Sequence, residues 1–214
     1  MRTNLAKFIA CLVLLPALSL ARPVAAHPHV WTDYWVEAVS DQDGIVELRF
    51  TWRFDTMFST MLRNDLKIAK MNPEAIKKLR DKAFANLKNF HYYIYIQHDG
   101  AEFLPQSVKD FSARDHGEQI EYLFTIALPK PAKTVEVSLY DEELYVDIGP
   151  PMQDGGAPSG IMAKAQPKPQ AFVTASARNG AKPPVCSQDA GITKKHPMWG
   201  DYQTYTARCA AEAP

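Results

Sequence analysis

The sequence predicts an α+β fold: a mainly antiparallel sheet of about six strands, two helices inserted after the first hairpin, a disordered linker and a small disulfide-closed C-terminal appendage. Three observations predict it. Ile45–Phe54 and Gln119–Leu128 alternate apolar and polar residues, the two-residue period of a half-buried strand. Helical spacing is confined to residues 55–90, between two runs of strands, which is the order expected of an α+β domain. After Gly149 the composition shifts to proline and glycine, which marks the end of the packed domain.

In chain order, Arg2 and Lys7 form a basic head, Phe8 to Leu20 an apolar run, and Val24-Ala25-Ala26 the small residues that a signal peptidase accepts. The run is shorter than the about 20 residues a bilayer requires, so residues 1–26 are read as a cleaved export signal that leaves no stable membrane anchor. Cleavage after Ala26 makes His27 the amino terminus; Ser19-Leu20-Ala21 offers a second acceptable site. The periplasmic domain is expected over 27–148.

Val30 to Val39 is β-branched and aromatic, and Asp41-Gln42-Asp43-Gly44 supplies turn chemistry. Ile45–Phe54 follows, with Val46, Leu48, Phe50, Trp52 and Phe54 on one face and Glu47, Arg49, Thr51 and Arg53 on the other, so the two runs form a hairpin. Met57, Phe58, Met61, Leu62 and Leu66 predict a short helix within 55–70. Asn72-Pro73-Glu74 gives an N-cap, a first-turn proline and a first-turn acid, and Ile76, Leu79, Ala83, Leu87 and Phe90 continue an amphipathic second helix. Strands are then predicted at Tyr92–Gln97, Glu102–Phe111, Gln119–Leu128, Thr134–Tyr140 and Leu144–Ile148. Residues 149–185 read as a linker too poor in aromatic residues to order itself, and 186–214 as the appendage closed by Cys186 and Cys209.

Removal of the signal leaves 21 Lys and Arg against 24 Asp and Glu, a charge of −3, which gives no footprint for nucleic acid. Two cysteines remaining in an exported chain are most simply a disulfide, stabilising by roughly 3 kcal/mol for a loop of this length. The sequence holds no G-x-S-x-G elbow, no H-E-x-x-H and no phosphate-binding glycine loop. No enzyme is expected.

The chemistry is expected at the mature terminus. In an extended strand His27, His29, Trp31 and Asp33 share a face at about 7 Å spacing, and imidazole with carboxylate suits copper, zinc, nickel or cobalt. A free α-amine on His27 would add a second nitrogen from the same residue. Pro28 has no amide proton and rules out the simple X-X-His copper chelate. Asp55, Asp141, Glu142, Glu143 and Asp147 lie at strand ends, either completing a metal site or serving as turn and cap residues. The histidines themselves read either as ligands or as solvated residues of a terminus.

Three blocks, HPHVWTDYWVEAV, FTWRFDTMFST and LYDEELYVDI, together resemble a bacterial family of uncharacterised periplasmic proteins, described as a domain of unknown function or as the periplasmic component of an uncharacterised ABC-type transport system. The resemblance covers about residues 27–148. It implies an association with transition-metal transporters of the nickel/cobalt exporter type, and its motif residues here are His27, His29, Trp31, Asp33, Trp52, Phe54, Asp55, Tyr140, Asp141, Tyr145 and Asp147. The acidic run after Asp141 departs from the family pattern.

The expectation is therefore a periplasmic metal-binding accessory protein partnered with a membrane transporter or another periplasmic protein. Its ligands would be His27 and His29, completed by Asp33, Asp55 and Asp147. The rival expectation is a protein-interaction module without metal. A solute-binding component of an ABC transporter fits less well, because about 120 residues cannot form two closing lobes.

Overall fold

A computed structural model describes residues 30–151, 169–196 and 200–212. Eleven strands form among them: β1 (Val30–Asp41), β2 (Gly44–Phe54), β3 (Ile94–His98), β4 (Ala101–Phe103), β5 (Lys109–His116), β6 (Gln119–Ala132), β7 (Thr134–Leu139), β8 (Val146–Gly149), β9 (Val173–Ala177), β10 (Val185–His196) and β11 (Gly200–Ala210). Two helices, α1 (Thr56–Leu66) and α2 (Pro73–Lys78), follow the first hairpin. The class is the one predicted: mainly antiparallel sheet with two helices and a Cys186–Cys209 disulfide near the C-terminus.

The strands divide between two sheets, ordered β5-β6-β2-β1-β8 with β9 also paired to β1, and β10-β11-β7-β3-β4. The hairpin is tight because Gly44, at φ +133°, lies where any Cβ would come 2.6 Å from the Ala132 carbonyl oxygen. Alternation then sends Tyr34, Val36 and Ala38 of β1, Leu48, Phe50, Trp52 and Phe54 of β2, and Ile120, Tyr122, Phe124 and Ile126 of β6 inward. They meet Ile94, Ile96, Val135, Val137 and Leu139 of the second sheet in one continuous core. Phe84, just after the second helix, closes it by packing against Trp52, Tyr122 and Phe124 at ring separations of 6.4, 5.7 and 5.0 Å.

Three expectations are corrected. The second helix, predicted to run to Phe90, is α-helical only to Lys78; it widens into a π-turn over Leu79–Ala83 and tightens into 3-10 geometry from Phe84, broken by non-helical backbone at Phe90–Tyr92. Left-handed backbone at His91, Tyr92 and Tyr93 then delays the next strand to Ile94.

The C-terminal part of the predicted linker is folded. Phe172 is fully buried, 5.2 Å ring to ring from Tyr34, its carbonyl accepts the Val36 amide at 2.8 Å, and β9 runs parallel to β1 from Val36↔Val173. A backbone ladder against a strand with an open edge needs few apolar side chains, which is why composition missed it. Residues 152–168 of that linker lie outside the described residues.

The tail is no appendage. β11 pairs with β7 from Thr206↔Ser138 to Ala210↔Thr134, and β10 pairs with β11, so the second sheet is built on the C-terminal hairpin. Cys186 and Cys209 are direct cross-strand partners within it, 4.1 Å apart at Cα. Among the described residues, no helix is long and apolar enough to cross a membrane.

Candidate functional site

The first motif block lies at the start of β1, where its neighbours are fixed on both sides. On one side β2 runs antiparallel, with Thr32↔Phe54 and Asp33↔Arg53 in register; on the other β8 runs parallel, with Trp31↔Asp147 and Asp33↔Gly149. Thr32 and Tyr34 point into the core, so Trp31, Asp33 and Trp35 occupy the outer face. His27 and His29 lie outside the described residues.

Asp33 is half-buried on that outer face. Burial pushes its carboxyl up to about 6, and the Arg53 guanidinium opposite pulls the other way. Arg53 is itself held by Glu121, with Nε–Oε1 and Nη2–Oε1 distances of 2.8 and 2.7 Å, and its guanidinium lies 4.6 Å from the Trp35 ring centroid. Glu121 has no exposed side-chain surface. Burial pushes its carboxyl up, but hydrogen bonds and charge from Arg114 and Arg53 outweigh burial and hold it below its ordinary value.

Asp55 closes the second block. It is the N-cap of α1: its Oδ1 accepts the Phe58 amide at 2.8 Å, as the F-D-T-M-F spacing permits. Its Oδ2 accepts the Trp31 amide at 2.9 Å, and the Asp55 amide donates to the Trp31 carbonyl at 2.9 Å. Both carboxylate oxygens thus accept a backbone amide, which ties the entry of β1 to the start of α1.

The third block is organised the same way. Asp141, buried at 4% exposure, accepts the amides of Glu143, Tyr145 and Val146 at 3.0, 3.0 and 3.1 Å, turning the acidic run back into β8. Burial pushes its carboxyl up, and these amides partly offset that. Asp147 sits in β8 opposite Trp31, and its charge helps raise the Tyr205 hydroxyl, whose main cause is burial. Among the described residues, no three His, Cys, Asp or Glu side chains converge as a metal cage.

The motif aromatics separate. Trp52 and Phe54 are core residues, Trp31 is half-buried and Tyr145 is exposed. Tyr140 stacks on Tyr95 at 4.0 Å with the Lys194 ammonium 3.6 Å from its ring centroid, a cluster on the outer face of the second sheet that joins positions too distant in sequence for any local pattern to reveal.

A family model described as a protein of unknown function (DUF1007) matches residues 12–182. The chain belongs to that family. The DUF1007 match takes in all three blocks and continues through β9, beyond the expected limit near residue 148 and in keeping with the burial of Phe172. A Haemophilus influenzae protein described as uncharacterized is 27% identical over 140 residues, 62% of this chain and 67% of that one.

Proposed function

We propose that this DUF1007 protein is an exported periplasmic carrier that binds a transition-metal ion at its amino-terminal histidines and presents it to a membrane transporter, without catalysing a reaction. Asp33 is the observation that carries the reading. It lies on the outer face of β1 four residues after His29, and no described backbone amide occupies its carboxylate, in contrast to Asp55 and Asp141. In the sequence, His27, His29 and Trp31 stand in the same two-residue register as Asp33. Its carboxyl, pushed up to about 6, is mostly ionised at neutral pH, the form that can ligate a cation. The disulfide between β10 and β11 supports an oxidising compartment.

The test compares metal uptake by the mature protein beginning at His27, by a version with one alanine ahead of His27, and by His27→Ala/His29→Ala, using copper, zinc, nickel and cobalt. The double variant is expected to lose at least tenfold in affinity, and loss on adding the alanine assigns a share to the free amine. Equal, weak binding by all three would refute the carrier and favour an interaction module without metal.

A further inference from the structure

Acid and base are unevenly shared along the chain. The helical stretch between β2 and β3, residues 56–93, holds eight Lys and Arg against three Asp and Glu, a charge of +5. The whole chain holds 24 of each, so the remaining residues carry 16 against 21, a charge of −5. Within the stretch, ion pairs engage Arg63 with Asp115, Lys77 and Arg80 with Asp81, and Lys78 with Glu74. Lys67, Lys70, Lys82 and Lys88 are exposed and form no ion pair among the described residues.

The same stretch leaves apolar side chains uncovered. Among the described residues five large apolar side chains are largely exposed, and three of them belong here: Met57 at 63%, Met61 at 49% and Phe90 at 51%. Helix formation does not require methionine at positions 57 and 61, since lysine, glutamine and glutamate are about as good and better solvated. Phe90 is held out where the helix breaks, stacked on Tyr93 at 5.7 Å, and the backbone turns left-handed directly after it at His91. Leu62, Ile68, Ala75, Leu79 and Phe84 seat the stretch on the core. The free lysines and the bare apolar side chains are what it turns to the outside.

Lysines alone are what any solvated helix shows. Methionine and phenylalanine standing bare among them suit a bilayer interface, where apolar tips enter the acyl boundary and ammonium groups remain at anionic headgroups. An acidic protein would answer the charge, but it would need a groove matched to each tip. A fluid lipid surface accommodates the tips wherever they stand. We propose that residues 56–93 form a docking surface for an anionic phospholipid bilayer, on which the protein lies reversibly. No helix among the described residues is long and apolar enough to cross that bilayer. The surface is independent of the metal reading and holds the protein at a membrane whether or not an ion is bound.

The test is co-sedimentation of the mature, disulfide-bonded protein with phosphatidylcholine vesicles prepared with and without phosphatidylglycerol. Binding is expected only with phosphatidylglycerol and is expected to fall as salt screens the charges. Lys67→Gln/Lys70→Gln/Lys82→Gln/Lys88→Gln is expected to weaken it at least tenfold, and Met57→Ser/Met61→Ser/Phe90→Ser at least threefold. All seven positions are exposed, so both variants are expected to keep the wild-type Tm. Lys130→Gln/Lys133→Gln/Lys182→Gln/Lys195→Gln removes the same charge elsewhere on the surface and is expected to leave binding within twofold. No binding, equal binding to both kinds of vesicle, or equal losses in the two lysine variants would overturn the proposal. Polyglutamate that displaces the vesicles, with the apolar variant binding as wild type, would overturn it in favour of an acidic protein partner.

Discussion

Replacing Asp55 tests whether one carboxylate joins β1 to α1. The isosteric Asp55→Asn keeps an oxygen able to cap Phe58, since asparagine and aspartate cap about equally well. Its amide nitrogen then faces the Trp31 N–H now bound at 2.9 Å. The loss is one charge-assisted hydrogen bond, about 1.5–3 kcal/mol. Asp55→Ala removes the cap as well, adding about 1 kcal/mol, for a total of about 2.5–4 kcal/mol. Urea unfolding followed by tryptophan fluorescence measures both, because Trp31, Trp35 and Trp52 lie in the elements concerned. The expected order is wild type, then Asn, then Ala. An Asn variant as stable as wild type would refute the bridge to Trp31, and an Ala variant within about 0.5 kcal/mol of wild type would refute the cap too.

Asp33→Asn is expected to stabilise the protein at pH 7.5 by up to about 2 kcal/mol, after allowing for partial exposure. The native state holds the Asp33 proton up to about pH 6 while the unfolded chain releases it near 3.8, so this group's contribution is greatest at low pH and is lost as pH rises through about 6. Stability measured from pH 4 to 8 in wild type and variant checks the sign, and a variant with unchanged slope would contradict it. Cys186→Ser/Cys209→Ser is expected to cost about 3 kcal/mol in denaturant, and because both cysteines lie in the second sheet the whole domain loses stability; a separate early tail transition would contradict that integration. Gly44→Ala forces a Cβ toward the Ala132 carbonyl, 2.6 Å away, in a backbone region unfavourable to alanine. A loss of about 2 kcal/mol by thermal melting is expected, and an unshifted Tm would contradict that close approach.

The central hairpin and β6 are legible in the sequence because charged residues alternate with large apolar ones, and that period survives in the burial of Leu48 to Phe54 and Ile120 to Ile126. The caps are legible too: Asn72 before Pro73 holds the Ala75 amide at 2.9 Å, and Asp55 stands three residues before Phe58. The division into two sheets is not, because strand order is a long-range property. Nothing local says that β1 shares its second edge between β8 and β9, or that β11 crosses to β7. The folded end of the proline-rich stretch hides behind its composition, where the single aromatic Phe172 fills a core position beside Tyr34. At the site, the residue types are visible but their uses are not. Asp33, Asp55 and Asp141 look alike in sequence, and only the structure separates the two that hold backbone amides from the one opposite Arg53.

Native mass spectrometry of the protein recovered from the periplasm of a Gram-negative host, grown with added copper and zinc, tests the account most directly by reading the terminus, the disulfide and the bound ion in one spectrum. The account predicts a chain beginning at His27, two hydrogens lighter for the Cys186–Cys209 bond, carrying one metal ion that His27→Ala/His29→Ala no longer retains. An uncleaved chain, or a trimmed chain that stays metal-free at saturating metal, would contradict it.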